Sequence, residues 1–322
     1  MTASGSMLLA IDSFARNPKT GQLRILNTQN TQGKNPVHLA LDPSERYLVV
    51  SNHIGASLAV LPIQPDGTLA AVHQLVSLEG TPEPHRTEQP HAKPHFNPFC
   101  PDGRFVLVPD KGLDCIFVFP FQKGKLIKEK GIKTSAREGS GPRHLVFHPN
   151  GKFAYCVNEL DSTVTAYEWN GEQGKLSPMQ IITTLPESFT GNNRAAAIVI
   201  SDDGHKLYTS NRGHDSITLF HAHPKTGWLT FIECQSTQGM TPRFICLTPD
   251  NRYLFALNEE THTIQPFTVN QSCVGSPDAG RLSPVPNQIS TGSPVCLIFS
   301  PKSSSENSQP VKQNTNSERQ AW

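Results

Sequence analysis

Arginine, histidine and glutamate recur in this chain at fixed offsets from a repeated turn, and this regularity is the first sign of chemistry. Six residues before the turn stand Val37, His95, Arg143, Ala196, Arg243 and Val295; ten after it stand His53, Lys111, Glu159, Arg212 and Glu259. Arg194 lies two residues before Ala196, and His144 follows Arg143 directly. Guanidinium groups can grip a phosphate or carboxylate, or steady a developing oxyanion, because their planar fork matches such groups. A carboxylate or imidazole beside them can move a proton. Arg and Glu at equivalent places of neighbouring sheets also form ion pairs that only set the spacing between sheets. That second reading is preferred for Lys111 and Glu259. Arg143 with Glu159 leaves cationic donors in excess, which suits an anionic ligand. Other chemistries are not signalled, since the chain has no GxSxG elbow, P-loop, HExxH or dinucleotide fingerprint. His221-Ala222-His223 has metal-ligand residue types, but it runs into the turn Pro224-Lys225-Thr226-Gly227 and reads as a solvated surface pair. No metal and no cofactor is expected.

The elements that must position these groups are short strands. The turn reads Leu41-Asp42-Pro43-Ser44-Glu45-Arg46-Tyr47 in its first copy and is centred later on Pro101-Asp102-Gly103, Pro149-Asn150-Gly151, Asp202-Asp203-Gly204 and Pro249-Asp250-Asn251. An incomplete copy ends at Pro301, and the anchors are spaced about 52 residues apart. A second signal, Gly-X-Leu, runs in phase with it, from Gly21-Gln22-Leu23 to Gly280-Arg281-Leu282. Each unit therefore reads as four antiparallel strands, a and b around the first turn, c and d around the glycine hairpin. Repetition of one turn chemistry at this interval, with no helical pattern between, predicts an all-β fold of the β-propeller type. Strand a lines the central channel, so the offset residues should gather at one mouth of it. Five full repeats are present. At the ends, residues 7–30 offer only a c–d pair, and Val295-Cys296-Leu297-Ile298-Phe299 offers only a strand a. The propeller is expected to occupy residues 1–301, incomplete at its N-terminus, with a polar, disordered tail over 302–322.

Composition narrows the partners. The chain has 322 residues, 28 Lys+Arg against 27 Asp+Glu, and a formal charge of +1, which gives no broad reason to bind nucleic acid or anionic membrane. No apolar run approaches the roughly 18 residues of a membrane span, and the N-terminus lacks a secretory pattern. Seven scattered cysteines without a CxxC pair point to thiols in a reducing compartment, the cytoplasm.

The stretch Gly139-Ser140-Gly141-Pro142-Arg143-His144-Leu145-Val146-Phe147-His148-Pro149-Asn150, continuing to Asn158-Glu159-Leu160, resembles the signature of the propeller lactonases, the seven-bladed 6-phosphogluconolactonase family related to 3-carboxymuconate cyclases. Pro94-His95, Asn193-Arg194-Ala195-Ala196 and Ser210-Asn211-Arg212-Gly213 extend the likeness, which runs from about Met7 to Phe299. The resemblance implies seven blades, with roughly one blade absent before Met1. It also implies hydrolysis of a six-membered sugar lactone, 6-phospho-D-glucono-1,5-lactone being the favoured substrate. In that picture Glu159 is the general base, Arg143 and Arg194 hold the oxyanion or phosphate, and His95, or else His144, protonates the leaving ring oxygen. Arg212 and Arg243 complete substrate binding. A muconate-type cycloisomerase using the same groups, or an inactive scaffold, are the competing implications.

Overall fold

The computed structural model describes residues 9–300 apart from 274; the tail expected over 302–322 lies outside the described residues. Strands β1 (Ala10–Arg16) and β2 (Leu23–Asn30) pair alone as a two-stranded sheet. The first four-stranded sheet contains β3 (Pro36–Leu41), β4 (Tyr47–Asn52), β5 (Ser57–Pro62) and β6 (Gln74–Ser77). The second contains β7 (Phe105–Asp110), β8 (Cys115–Gln122), β9 (Lys125–Leu126) and β10 (Ile132–Ser135). The third runs β11 (Pro142–Phe147), β12 (Phe153–Asn158), β13 (Thr163–Asn170), β14 (Lys175–Thr183). The fourth runs β15 (Arg194–Ile200), β16 (Lys206–Arg212), β17 (Ser216–Ala222), β18 (Leu229–Ser236). The fifth has β19 (Pro242–Leu247), β20 (Tyr253–Asn258), β21 (Thr263–Val269) and β22 (Leu282–Pro284), with the short β23 (Ile289–Ser290) also on β21. Every pairing is antiparallel, and apart from β8 with β10 and β21 with β23 each joins neighbours in sequence, as in propeller blades.

The sheets stack face to face, and strand periodicity explains how. Successive side chains of β12 point to opposite faces. Phe153, Tyr155 and Val157 therefore pack with Ala195, Leu207 and Phe220 of the fourth sheet, while Ala154 and Cys156 pack with Leu107, Ile116 and Val118 of the second. A strand covered on both faces reads as a continuous apolar run, and all six residues of β12 are buried. The same arrangement joins the first and second sheets through Val49, Leu58, Val106 and Val108, and the fourth and fifth through Tyr208, Leu219, Leu254 and Phe267. Ile11 of β1 packs on Leu48 and Val50. The Gly-X-Leu glycines all adopt positive φ, from 64° to 84°. At Gly174 a Cβ would also collide with the Phe105 ring of the preceding sheet at 2.5 Å, so this hairpin needs glycine twice over.

Two expected strands are absent. Residues 94–100 form only isolated bridges, Pro94 to Asp110 and Phe99 to Val106, because Pro94 and Pro98 have no N–H to donate to a ladder. Residues 295–299 form no strand: no second strand follows them within the described residues to pair with. Among the described residues no helix is long and apolar enough to cross a membrane.

Candidate active site at the channel mouth

A β-bulge aims the key side chains. In the third sheet Pro142 pairs with Asn158 and His144 with Val157, so Arg143 is the extra residue on the inner strand. The same slip leaves Val37 unpaired in the first sheet and Arg243 in the fifth, and falls between Ala195 and Ile198 in the fourth. A bulge re-aims one side chain without unravelling the sheet. It gives the position six before each turn a common direction, and Arg143 becomes 2% exposed.

Four cations converge on Glu159. Arg143 Nε lies 3.0 Å from Oε2 and Arg212 Nη2 3.3 Å from the same oxygen. Lys111 Nζ lies 3.2 Å and Arg194 Nη1 3.5 Å from Oε1. Arg143 Nη1 also donates to the Ala196 carbonyl at 2.6 Å, and Arg212 Nη2 to Ala195 at 3.1 Å, which fixes both guanidiniums on the fourth sheet. Lys111 and Arg194 then reach a second carboxylate, Glu88, at 2.8 and 2.7 Å. Arg243 pairs with Glu259 at 3.3 Å. Lys111 thus bridges the second and third sheets, whereas the pair of Glu259 with Arg243 stays within the fifth sheet.

Two hollows adjoin this network. An inner cavity of about 340 Å³ is walled by His38, His95, Phe96, Arg143, His144 and Arg243, among others. An outer basin of about 760 Å³ is walled by His85, Asn193, Arg194, Arg212, Arg243 and Glu259, among others. Arg243 and Glu259 belong to both walls. His95, Arg143 and His144 thus line the inner cavity, Arg194 and Arg212 the outer basin, and Arg243 both. His221 and His223 are elsewhere: His221 Nε2 bonds the Ala279 carbonyl at 2.8 Å, and His223 Nδ1 accepts amides of the following turn.

Electrostatics redistributes the roles. Burial alone pushes the Glu159 carboxyl up, but Arg212, Arg143 and Lys111 outweigh it and hold the group well below the usual carboxylate range. Glu159 is 3% exposed and walls neither cavity. A saturated, buried carboxylate has little affinity for a water proton, and its two oxygens brace the four cations around it. Burial, then Arg143, keeps His95 and His144 well below the ordinary histidine value. Both rings are therefore neutral at neutral pH. Arginine cannot accept, so the 3.1 Å contact from Arg143 Nη1 makes His144 Nε2 an acceptor and places its proton on Nδ1. His95 Nδ1 is buried without a partner.

The offsets missed two groups. Glu88 sits in the strandless connection between β6 and β7, outside the repeat register, so no periodic signal marks it. His38 joins the inner wall one residue after the bulged Val37, its Nδ1 2.6 Å from Asn97 Oδ1.

Comparison with known proteins agrees with this fold. The family described as "Lactonase, 7-bladed beta-propeller" matches residues 5–299. The chain is 32% identical over 289 residues to a 6-phosphogluconolactonase of Bacillus subtilis, covering 90% of this chain and 80% of that protein. It is 31% identical over 287 residues to a 6-phosphogluconolactonase of Formosa agariphila, covering 87% and 78%. The structure of a periplasmic gluconolactonase from Pseudomonas aeruginosa superposes with a TM-score of 0.81 at 30% identity, covering 90% of this chain and 80% of that one.

Proposed function

Because this chain belongs to the seven-bladed β-propeller lactonase family, we propose that it hydrolyses a phosphorylated sugar lactone, 6-phospho-D-glucono-1,5-lactone, to the open acid, as in the oxidative pentose phosphate pathway. The observation that carries the reading is the set of cations around Glu159, opening on a cavity with neutral imidazoles in its wall. A lactone is already an activated ester, so catalysis needs a proton acceptor for water and donors for the carbonyl oxygen. His95, neutral and on the inner wall, takes a proton from water as the oxygen adds to the lactone carbon. Arg143 and Arg243, on the same wall, stabilise the oxyanion. As the carbon–oxygen bond of the ring breaks, His95 returns that proton to the ring oxygen. Water is thereby divided between acid and alcohol, and His95 ends neutral. Arg194 and Arg212, in the outer basin, hold the phosphate. Glu159 fixes the guanidinium array and keeps its net charge low enough to pack. No metal or cofactor enters this scheme. Buried thiols at Cys100, Cys115 and Cys156 support a cytoplasmic setting as part of the same proposal.

The test is lactone loss, followed against spontaneous hydrolysis, with purified protein and the phosphorylated lactone. Acceleration above buffer is expected, with a drop of about 10²-fold in kcat/KM for Glu159→Gln as the array loses its anchor. Hydrolysis at the buffer rate defeats the reading. If carboxymuconolactone is formed or opened instead, the activity is a cycloisomerase.

A further inference from the structure

We propose that Glu88 is a specificity-determining residue, a resident carboxylate on the Arg194–Lys111 anion seat that only a doubly charged ligand group displaces efficiently. The inference deepens the lactonase reading by saying how a phosphate is chosen over a carboxylate.

The connection carrying Glu88 is pinned beside it. Gln89 is fully buried, its amide donates to the His85 carbonyl at 2.7 Å, and its Nε2 donates to the Lys111 carbonyl at 2.9 Å. The Lys93 amide donates to Asp110 Oδ1 at 2.8 Å. The backbone is thus held on both sides, while the Glu88 side chain, 20% exposed, reaches across the mouth to Arg194, 106 residues away. Glu88 can swing off its partners without moving the connection.

Arg194 is the cation a ligand meets first, at 44% exposure on the outer basin. Lys111 beside it is nearly buried. Each also touches Glu159, and each gives its shorter contact to Glu88. The ion-pair network through Glu88 and Glu159 joins Lys111, Arg143, Arg194 and Arg212, four positive charges against two negative ones, an excess of two, while Arg243 pairs with Glu259 in the part of the basin that Asp215 and Glu260 also line. A monoanionic carboxylate entering the seat exchanges one charge for an identical one that is tethered at high local concentration, and gains little. A phosphate monoester carries a second charge and more acceptor oxygens, so it gains from the remaining excess. Discrimination arises here from a competitor built into the site rather than from an added contact.

Glu88→Gln keeps the shape and removes the competing charge. Calorimetric titration with inorganic phosphate should show binding roughly tenfold tighter than wild type, and acetate should gain by more, so that the preference for phosphate shrinks. Adding Arg194→Gln should abolish the gain. Phosphate binding that is unchanged or weaker in Glu88→Gln overturns the proposal and makes Glu88 a clamp for Arg194; a gain that survives loss of Arg194 overturns it by placing the seat elsewhere. If Glu88→Gln does not fold, Glu88→Asp, too short to span both cations, is titrated with the same expected direction. A protein that binds phosphate this way but turns over no lactone loses the proposed reaction and keeps this inference. A working lactonase whose Glu88→Gln variant binds phosphate no tighter loses this inference alone.

Discussion

Glu159 shares its two oxygens among Arg143, Arg212, Lys111 and Arg194, and in the proposed reaction this sharing separates the job of holding charge from the job of moving a proton. An ionised carboxylate in that setting stays ionised far into acid, so it cannot set the pH dependence of catalysis in the neutral range. His95 can. Its neutral form is the one that accepts a proton, and burial with Arg143 nearby lowers its pKa well below 6.5. On the acid side kcat/KM should therefore fall as His95 becomes protonated, with the midpoint below 6.5. His95→Gln should lower kcat/KM by about 10²–10⁴-fold and remove that limb, as measured by lactone loss corrected for spontaneous hydrolysis. An acid limb that persists unchanged in His95→Gln moves the base to another group. The sequence places Glu159, Arg143 and His95 in one cluster, but residue type alone cannot give the ionisation of a carboxylate whose partners come from separate sheets. Glu88 is the partner least visible in advance, because only the path of an unrepeated connection brings it to Arg194.

The recurring asparagine at the end of each second strand has a purpose that emerges at the level of elements. Asn52, Asn158, Asn211 and Asn258 are all buried, and Asp110 takes the equivalent place in the second sheet. Asn211 shows what the position does. Its Nδ2 lies 3.0 Å from the Thr184 carbonyl and 2.9 Å from Thr218 Oγ1, and its Oδ1 accepts from Thr184 Oγ1 at 2.6 Å and Asn193 Nδ2 at 3.2 Å. It latches β16 to β17, to the loop after β14 and to the residue preceding Arg194. Truncation leaves several buried polar groups unpaired, so Asn211→Ala should cost about 2–3 kcal/mol in urea unfolding, whereas exposed Glu172→Ala should stay within about 0.5 kcal/mol. A cost for Asn211→Ala as small as the control's removes the latch from the account. These elements are legible because they are local: a turn, two strands and a terminal asparagine recur within a dozen residues. The bulge at Arg143 is not legible, since slipping one residue leaves the sequence pattern of β11 intact while re-aiming the side chain. Pro94 and Pro98 are a different case: the missing donors are plain in the sequence, and the repeat pattern hides them.

Across the whole molecule, the channel is where three sheets bring imidazoles together. His38 and His53 come from the first sheet, His95 precedes β7 of the second, and His144 lies on β11 of the third. His95 stands with its ring centre 5.1 Å from His53 and 5.2 Å from His144, while Phe96 lies 3.8 Å from His38 and 4.4 Å from His144. Burial lowers all four: His38 and His53 to about 4, His95 and His144 well below their ordinary value. Unfolded, each takes a proton below about pH 6.5. As the pH falls below 6.5 the unfolded chain thus takes up protons that these folded rings refuse. Asp110, pushed up to about 7 by burial, opposes them, as do Asp161 and Glu83, whose carboxyls burial also raises, so the native state keeps protons there that the unfolded chain releases. His148, also lowered by burial, adds to the imidazoles, so the balance near pH 5 favours the unfolded state, each net proton contributing about 1.4 kcal/mol per pH unit. Stability should therefore fall steeply from pH 7 to 5, well before Glu88, held down to about 2, or the lower-lying Glu159 can titrate. Urea midpoints at pH 7, 6 and 5 measure the slope, and His38→Gln should reduce it by about one proton's worth. A midpoint that is flat or rises toward pH 5 would mean that the imidazoles take up protons in the folded ring, and that the channel is wetter and less cationic than its side chains imply.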